Sequence, residues 1–201
     1  MPWLSWPNRI TIARIVLVTP LVICLLNLNV DGAAWRYAAL GLFALLSISD
    51  AVDGFLARLF KQETPLGRFL DPVADKLLVV SAVVILSVDA TAVPGFQLPR
   101  WVPVIAIGKD LFTVIGFLLV YAVTGQYFIQ PRRWGKACTT VQLLMIAVCL
   151  AAPDLPGPLH PIHTAMYWLA SVLAVIALVD YIRIGNRFAD DYHAKSQRTN
   201  L

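Results

Sequence analysis

Charged side chains are scarce in this chain of 201 residues, since Asp, Glu, Lys and Arg make up 14% of it. A soluble domain carries about 25%. Apolar and aromatic residues make up 59%, more than the core of so short a chain can enclose. This composition excludes a disordered chain and a soluble globular domain, and predicts an integral membrane protein. We attribute the net charge of +4 to basic loops on one side of a bilayer rather than to nucleic-acid binding.

Cysteine is rare as well, and its three copies lack the spacing of a metal site or a redox motif. Cys24, Cys138 and Cys149 all lie in apolar stretches, which predicts packed or lipid-facing thiols. The chain also lacks internal repeats, linkers and low-complexity segments. We therefore predict one domain comprising residues 1–201.

Long apolar segments, by contrast, are abundant. A helix needs about 20 apolar residues to cross the hydrocarbon of a bilayer, and the segments that qualify are residues 8–29, 35–60, 68–90, 100–124, 136–152 and 162–185. Turn-forming residues separate them, among them Pro94-Gly95 and the proline-rich run 153–158. The predicted fold is all-α, a polytopic membrane protein with six transmembrane helices. The polar residues 190–201 are predicted to fray.

The basic residues predict the orientation of these helices. They concentrate at the start of the first segment, where Arg9 and Arg14 lie, around the connection of the second and third, around that of the fourth and fifth, and at the end of the sixth. The other connections carry only Arg36 and Arg100. Because loops rich in Lys and Arg stay on the cytoplasmic side, we expect both termini in the cytoplasm and a multi-pass protein of the cell (inner) membrane.

Four carboxylates interrupt the second and third segments where lipid should penalise them, at about 2.5–3.5 kcal/mol each near the bilayer centre. They are Asp50, Asp53, Asp71 and Asp75. The spacing within each pair puts both members on one helix face, and a short cytoplasmic loop lets the two faces converge. Such a pocket suits two hard divalent cations, Mg²⁺ or Mn²⁺. An ion-pair network with Arg58, Arg68 and Lys76 and a carboxylate-lined ion transporter are the alternatives.

Small residues accompany the carboxylates. Gly54 and Ala57 share the helix face of Asp50 and Asp53, and Gly67 precedes Asp71. Small residues let membrane helices approach closely. Beside a carboxylate cluster, however, they also leave room for a bulky ligand that carries phosphate, which is the interpretation we favour.

The run from Asp50 to Asp75 matches the complete pattern D-x2-D-G-x2-A-R-x8-G-x3-D-x3-D and thereby resembles the CDP-alcohol phosphatidyltransferases. The resemblance implies transfer of a phosphatidyl group from CDP-diacylglycerol to an alcohol, release of CMP, and a homodimer in membrane lipid. It implies that Asp50, Asp53, Asp71 and Asp75 bind the metals and that Asp75 is the general base. It also implies a nucleotide-binding wall of Gly54, Ala57 and Gly67, with Asp50 near the CDP-lipid and Arg58 on its diphosphate.

Two further segments, residues 7–14 and 69–76, look most like the synthases of phosphatidylglycerophosphate and of cardiolipin in this family. The expected acceptor is glycerol 3-phosphate, with phosphatidylglycerol as the alternative. Both acceptors carry phosphate, so the resemblance implies a basic subsite, for which Lys109 and Lys136 are the candidates. Lys109 lies too deep in its segment to reach the interface easily, whereas Lys136 is equally well explained as an anchor.

Overall fold

Six α-helices account for most of the chain. The structure, a computed structural model, describes the backbone of residues 6–30, 33–60, 65–124 and 133–199, and the side chains of residues 12–30, 33–49, 74–116 and 134–185. The helices in these ranges are α1 (Trp6–Leu26), α2 (Ala33–Phe60), α3 (Pro65–Leu86), α4 (Trp101–Thr124), α5 (Arg133–Ala151) and α6 (Pro161–Thr199). The prediction of six helices and an all-α chain is confirmed for the described residues, which include no strand.

Proline begins two of the helices, and polar side chains end a third. Pro65 and Pro161 are the first residues of α3 and α6, where a fixed φ suits the helix and the missing N–H is not needed. The third helix ends at Leu86, four residues before the predicted boundary, because polar groups take over its last carbonyls. Thr91 donates to the Ile85 carbonyl at 2.7 Å. Gly95, with φ of +77°, then forms the predicted turn.

The last helix is much longer than its apolar segment. It comprises 39 residues, Pro161–Thr199, whereas the hydrophobic pattern ends near residue 185. The prediction that residues 190–201 fray is wrong as far as Thr199. The physical reason is that residues 186–199 contain neither proline nor glycine, so nothing in this polar stretch ends the helix.

Apolar side chains four residues apart build the core. Leu21 and Leu25 of α1 and Leu78, Ala82 and Leu86 of α3 are buried, because such a spacing puts them on one helix face. Side chains of α2 and α5 complete the same cluster, among them Phe43, Leu46, Met145 and Ile146. The three cysteines are buried and unpaired, which confirms that they are packed thiols.

Three connections meet at one end of the bundle. We call this the clamp end and define it by Asn29, Arg36, Phe96 and Asp154. Asn29 donates to the Ala90 carbonyl at 2.7 Å, and the Cys149 thiol donates to the Phe96 carbonyl at 3.0 Å. These contacts join the α1–α2 connection to the α3–α4 connection, and the latter to the end of α5. Successive helices therefore alternate in direction here, as a multi-pass protein requires.

The outer surface of the bundle is apolar. Within the described residues, Trp134–Asp154 and Gly157–Gly185 are long and apolar enough to cross a membrane, and only 17% of the second stretch is buried. Ile12–Leu26 and Ala33–Ser49 are shorter apolar helices. Exposed residues such as Val172, Val175 and Val179 would form an unfavourable patch in water, so the arrangement is that of a membrane protein. Six crossings and their orientation stay predictions.

Candidate active site

The predicted acidic residues divide between two helices. Asp50 and Asp53 lie in α2, and Asp71 and Asp75 lie in α3. Only Asp75 belongs to the described side chains, and no group of three or more possible metal ligands occurs among those. The convergence of the four carboxylates thus lies outside the described residues, as do the side chains of Arg58 and of the small residues Gly54, Ala57 and Gly67.

Asp75 is paired with a cation of the first helix. The Arg14 guanidinium lies 3.8 Å from the Asp75 carboxylate, and the two side chains are 2% and 35% exposed. A buried guanidinium beside a half-buried carboxylate removes much of the cost of placing either charge in an apolar bundle. The contact therefore joins α1 to α3 at the predicted catalytic residue.

A second group of charges lies between the third, fourth and fifth helices. The carboxylate of Asp110 contacts the ammonium groups of Lys76 and of Lys109 through the same oxygen, Oδ1. The distance from this oxygen to the Lys109 ammonium is 2.9 Å. Lys109 also lies 3.8 Å from the Cys138 sulfur of α5. We call Lys76, Lys109, Asp110 and Cys138 the lysine cluster.

The two predicted acceptor-binding lysines have different surroundings. The side chain of Lys109 is 7% exposed, which agrees with the expectation that it lies too deep to reach an interface. Lys136 is exposed. Lys136 precedes Cys138 by two residues, so its side chain points about 200° away from that of Cys138 around the axis of α5. Cys138 is the residue of α5 that contacts Lys109. The structure brings Lys109 together with Lys76 rather than with Lys136, whose role stays a prediction.

Sequence reasoning missed how three of these residues are used. The distribution of basic residues places Arg14 near the cytoplasmic side, yet it is buried against Asp75. The sequence gives Lys76 only a place in a possible ion-pair network and gives Asp110 no role. One signal was available for Asp110, because Lys109 and Asp110 are the only charged residues in the 24 residues of α4. Two adjacent opposite charges in an otherwise apolar helix indicate an internal partner.

Ser47 differs from the other helical hydroxyls. In the described helices Ser81, Thr113, Thr139, Thr140 and Ser171 each donate to the carbonyl four residues earlier, the usual solution for a hydroxyl in a helix. The buried Ser47 hydroxyl has no hydrogen-bond partner. By helical register it lies within about 60° of Asp50 and about 20° of Gly54 around the axis of α2. A polar atom is thus left over on the face that carries the predicted site.

The clamp end uses its charges differently. Arg36 holds Asp154 through two parallel hydrogen bonds of 2.7 and 2.8 Å and also donates to the Leu150 carbonyl at 2.9 Å. The Tyr37 hydroxyl donates to the same carboxylate at 3.0 Å. Nearby, the rings of His160 and His163 pack edge-on against Phe96. These groups satisfy one another and fasten α2 to the α5–α6 connection.

Comparison with known proteins shows the family of this chain. Residues 4–178 match the family model of the CDP-alcohol phosphatidyltransferases. The chain is 35% identical over 176 residues to a "probable phosphatidylglycerophosphate synthase" of Mycobacterium tuberculosis, covering 87% of this chain and 78% of the relative. It is 34% identical to the "CDP-diacylglycerol--glycerol-3-phosphate 3-phosphatidyltransferase" of Bacillus subtilis, covering 87% of this chain and 92% of the relative.

A relative with another acceptor is also similar. The "cardiolipin synthase (CMP-forming)" of Oryza sativa is 30% identical over 192 residues, which cover 90% of this chain and 57% of the relative. The family match spans most of the chain and includes both helices of the D-x2-D-G motif. The chain therefore belongs to the CDP-alcohol phosphatidyltransferase family of enzymes.

Proposed function

We propose that this enzyme transfers the phosphatidyl group of CDP-diacylglycerol to glycerol 3-phosphate, giving phosphatidylglycerophosphate and CMP. The observation that carries the proposal is the similarity to the Bacillus subtilis enzyme, which spans nearly the whole of both chains and whose name states donor and acceptor. Family membership also favours a transferase over a carboxylate-lined ion transporter, the other class that buried carboxylates suggest.

Divalent cations fit the donor set of the motif. Asp50, Asp53, Asp71 and Asp75 offer only carboxylate oxygens, the ligands that Mg²⁺ and Mn²⁺ prefer, and four such charges suit two ions. The unpaired Ser47 hydroxyl on the same face of α2 supports a polar ligand here, since a water or phosphate oxygen would satisfy it. When bound, such cations stabilise the negative charge on the phosphate of the departing CMP.

The chain's own residues perform the remaining steps. Asp75 accepts the proton of the acceptor hydroxyl while that oxygen attacks the phosphatidyl phosphorus. The bond from this phosphorus to the bridging oxygen breaks, and CMP leaves with the electron pair. Arg14 compensates the charge of Asp75 and fixes its position against α1. Arg58 binds the diphosphate, for which its planar fork of donors is suited, and Gly54, Ala57 and Gly67 leave space for the cytidine.

The acceptor phosphate binds beside this site, and we assign it to Lys109, with Lys136 as the second candidate on another side of α5. The burial of Lys109 supports its part of the assignment, because it keeps this ammonium inside the bundle, where an anion is held strongly. The remaining proposals extend the sequence predictions: one domain comprising residues 1–201, six crossings of the cell membrane, a site that opens to the cytoplasm, and a homodimer. The alternating helix directions at the clamp end support an even number of crossings.

Cardiolipin synthesis is the second candidate. The similarity to the rice enzyme favours it, and phosphatidylglycerol would present a phosphodiester to the same lysines. The two candidates share donor, metal and leaving group. They differ only in the molecule that supplies the attacking hydroxyl.

An acceptor screen tests the proposal. The purified full chain receives CDP-diacylglycerol and Mg²⁺ or Mn²⁺ with one acceptor at a time: glycerol 3-phosphate, phosphatidylglycerol, serine or inositol phosphate. We expect CMP release with glycerol 3-phosphate, loss of release when EDTA is added, and recovery with excess Mg²⁺. Release only with phosphatidylglycerol would establish the second candidate, and no release with any acceptor would refute phosphatidyl transfer.

A further inference from the structure

We infer that Asp110 is a positioning residue that holds Lys76 and Lys109 together as one phosphate-binding pair. The inference rests on the proposed function, because it assigns the phosphate of the acceptor to this pair. It begins with a geometric observation. Lys76 belongs to α3 and Lys109 to α4, yet both ammonium groups reach the same carboxylate oxygen, Oδ1 of Asp110.

The contact between neighbours in the fourth helix is unusual. Side chains of adjacent residues leave a helix about 100° apart and do not ordinarily face each other. The 2.9 Å distance between the Lys109 ammonium and the Asp110 carboxylate therefore requires both side chains to lean toward one point, the point that Lys76 reaches from α3. Asp110 thereby fixes the two ammonium groups within two hydrogen-bond lengths of each other.

Hydrogen-bonding capacity remains on both lysines. An ammonium group has three donors. Among the described residues Lys76 contacts Asp110, and Lys109 contacts Asp110 and Cys138. Two donors of Lys76 and one of Lys109 are therefore left for a further acceptor. The side chains of Lys76, Asp110 and Lys109 are 45%, 20% and 7% exposed. A ligand would therefore reach the cluster from the side of Lys76.

The balance of charge identifies the ligand class. Among the described side chains, two ammonium groups and one carboxylate give the cluster an excess of one positive charge, which favours the binding of an anion where the lysines are partly removed from water. A phosphate monoester, with a charge near −2 at neutral pH, supplies both the charge and the acceptor oxygens. Without Asp110 the two cations would repel each other and separate. The carboxylate thus acts on the phosphate through the lysines and not by touching it.

The position of Lys76 connects this pair to the reaction. It follows Asp75 directly in α3, so the two side chains leave the helix at nearly the same height, about 100° apart around its axis. The acceptor's phosphate end and its hydroxyl end are then held by successive residues of one helix. We expect the cluster to set the affinity for the acceptor, while leaving the affinity for CDP-diacylglycerol unchanged.

Binding and turnover of purified Asp110→Asn test the inference. We expect its dissociation constant for glycerol 3-phosphate, measured by titration calorimetry in detergent without CDP-diacylglycerol, to rise at least tenfold. The KM for glycerol 3-phosphate should rise likewise, with the KM for CDP-diacylglycerol within twofold of the wild type. Asp110→Glu should recover most of the affinity. Asp89→Asn, which removes the same charge from an exposed ion pair of the α3–α4 connection, is the matched control and should bind normally.

A double-mutant comparison separates positioning from a general effect of charge. Lys76→Gln alone should weaken binding by a similar factor, and adding Asp110→Asn to it should cost less than twofold more, because the partner is already gone. Unchanged or tighter binding by Asp110→Asn would overturn the inference, since loss of a negative charge alone should favour an anion. The inference would also be overturned if Asp110→Asn weakened binding by the same factor in the wild type and in Lys76→Gln. A wild type that does not bind glycerol 3-phosphate would overturn it too. The proposed function fails separately, if the wild type binds but releases no CMP.

Discussion

The clamp end and the middle of the helix bundle hold their charges in different ways. At the clamp end one arginine meets one aspartate: Arg36 forms two hydrogen bonds to Asp154 and a third to the Leu150 carbonyl. Nearer the middle of the helices Arg14 meets Asp75, and Lys76 and Lys109 share the carboxylate of Asp110. At the clamp end the two partners match in charge, whereas in the lysine cluster two lysines meet one aspartate among the described side chains.

This difference indicates the role of each group of charges. A forked arginine–carboxylate pair with matched geometry fixes the relative position of two segments and leaves little for a ligand to bind. Ammonium groups that share one oxygen keep donors in reserve, which is useful only if something binds them. Structural and ligand-binding charges can thus be distinguished within one membrane protein. In a structural pair the hydrogen-bond donors of the cation are used by protein acceptors, whereas in a ligand-binding group some donors remain unused.

Asp75→Asn should have the largest effect and would sharpen the comparison most. Removal of the proposed base should lower kcat for CMP release about 10²- to 10⁴-fold, while Asp154→Asn at the clamp end should leave kcat within twofold of the wild type. Steady-state CMP release measures both. Near-normal turnover of Asp75→Asn with metal present would remove Asp75 from its assigned role.

Arg14→Met should have the next largest effect, and on stability as well as on activity. It removes the Arg14 guanidinium from the carboxylate of Asp75. Loss of one partner from a partly exposed pair costs about 1–3 kcal/mol, so thermal denaturation in detergent should show a lower Tm, together with reduced kcat. Arg14→Lys keeps the charge and should restore part of both quantities. A fall in Tm without any change in kcat would make this contact structural, like the clamp.

Asp154→Asn should lower stability alone. The substitution removes the charge and one of the two oxygens that Arg36 uses, so this buried guanidinium keeps only part of its pairing. We expect a Tm lower by a few degrees, with the KM values of both substrates unchanged. An altered KM for either substrate would contradict the division between structural charges at the clamp end and ligand-binding charges in the lysine cluster.

Asp89→Asn should have the smallest effect. Hydrogen bonds from Gln97 and Arg100 hold the pKa of this exposed carboxylate below its ordinary value of 3.8. A lowered pKa contributes stability that is present above the unfolded value and lost as the pH falls through the folded one. The Tm of the wild type and of Asp89→Asn should therefore agree near pH 7 to within the small effect of an exposed pair. Any difference between them should shrink as the pH falls below 3.8 and vanish below the lowered pKa of the folded state; a difference that grows there would contradict the assignment.

The sequence predicted the helices and the motif well, because both depend on local pattern. Apolar segments, Pro94-Gly95 and the spacing of Asp50 to Asp75 are visible without knowledge of any neighbour. The pairing of Arg14 with Asp75 was not predictable in this way, since 61 positions separate them and the contact depends on how α1 packs on α3. The meeting of Lys76 with Asp110 likewise requires the packing of α3 against α4.

The length of the last helix has a geometric consequence. Its 39 residues extend about 58 Å at 1.5 Å per residue, nearly twice the thickness of the hydrocarbon of a bilayer, about 30 Å. If the apolar part, residues 161–185, spans the membrane, the polar residues 186–199 extend the same helix by about 21 Å at 1.5 Å per residue. The distance from a fluorophore near Thr199 to the bilayer surface would then equal the length of this polar helical segment.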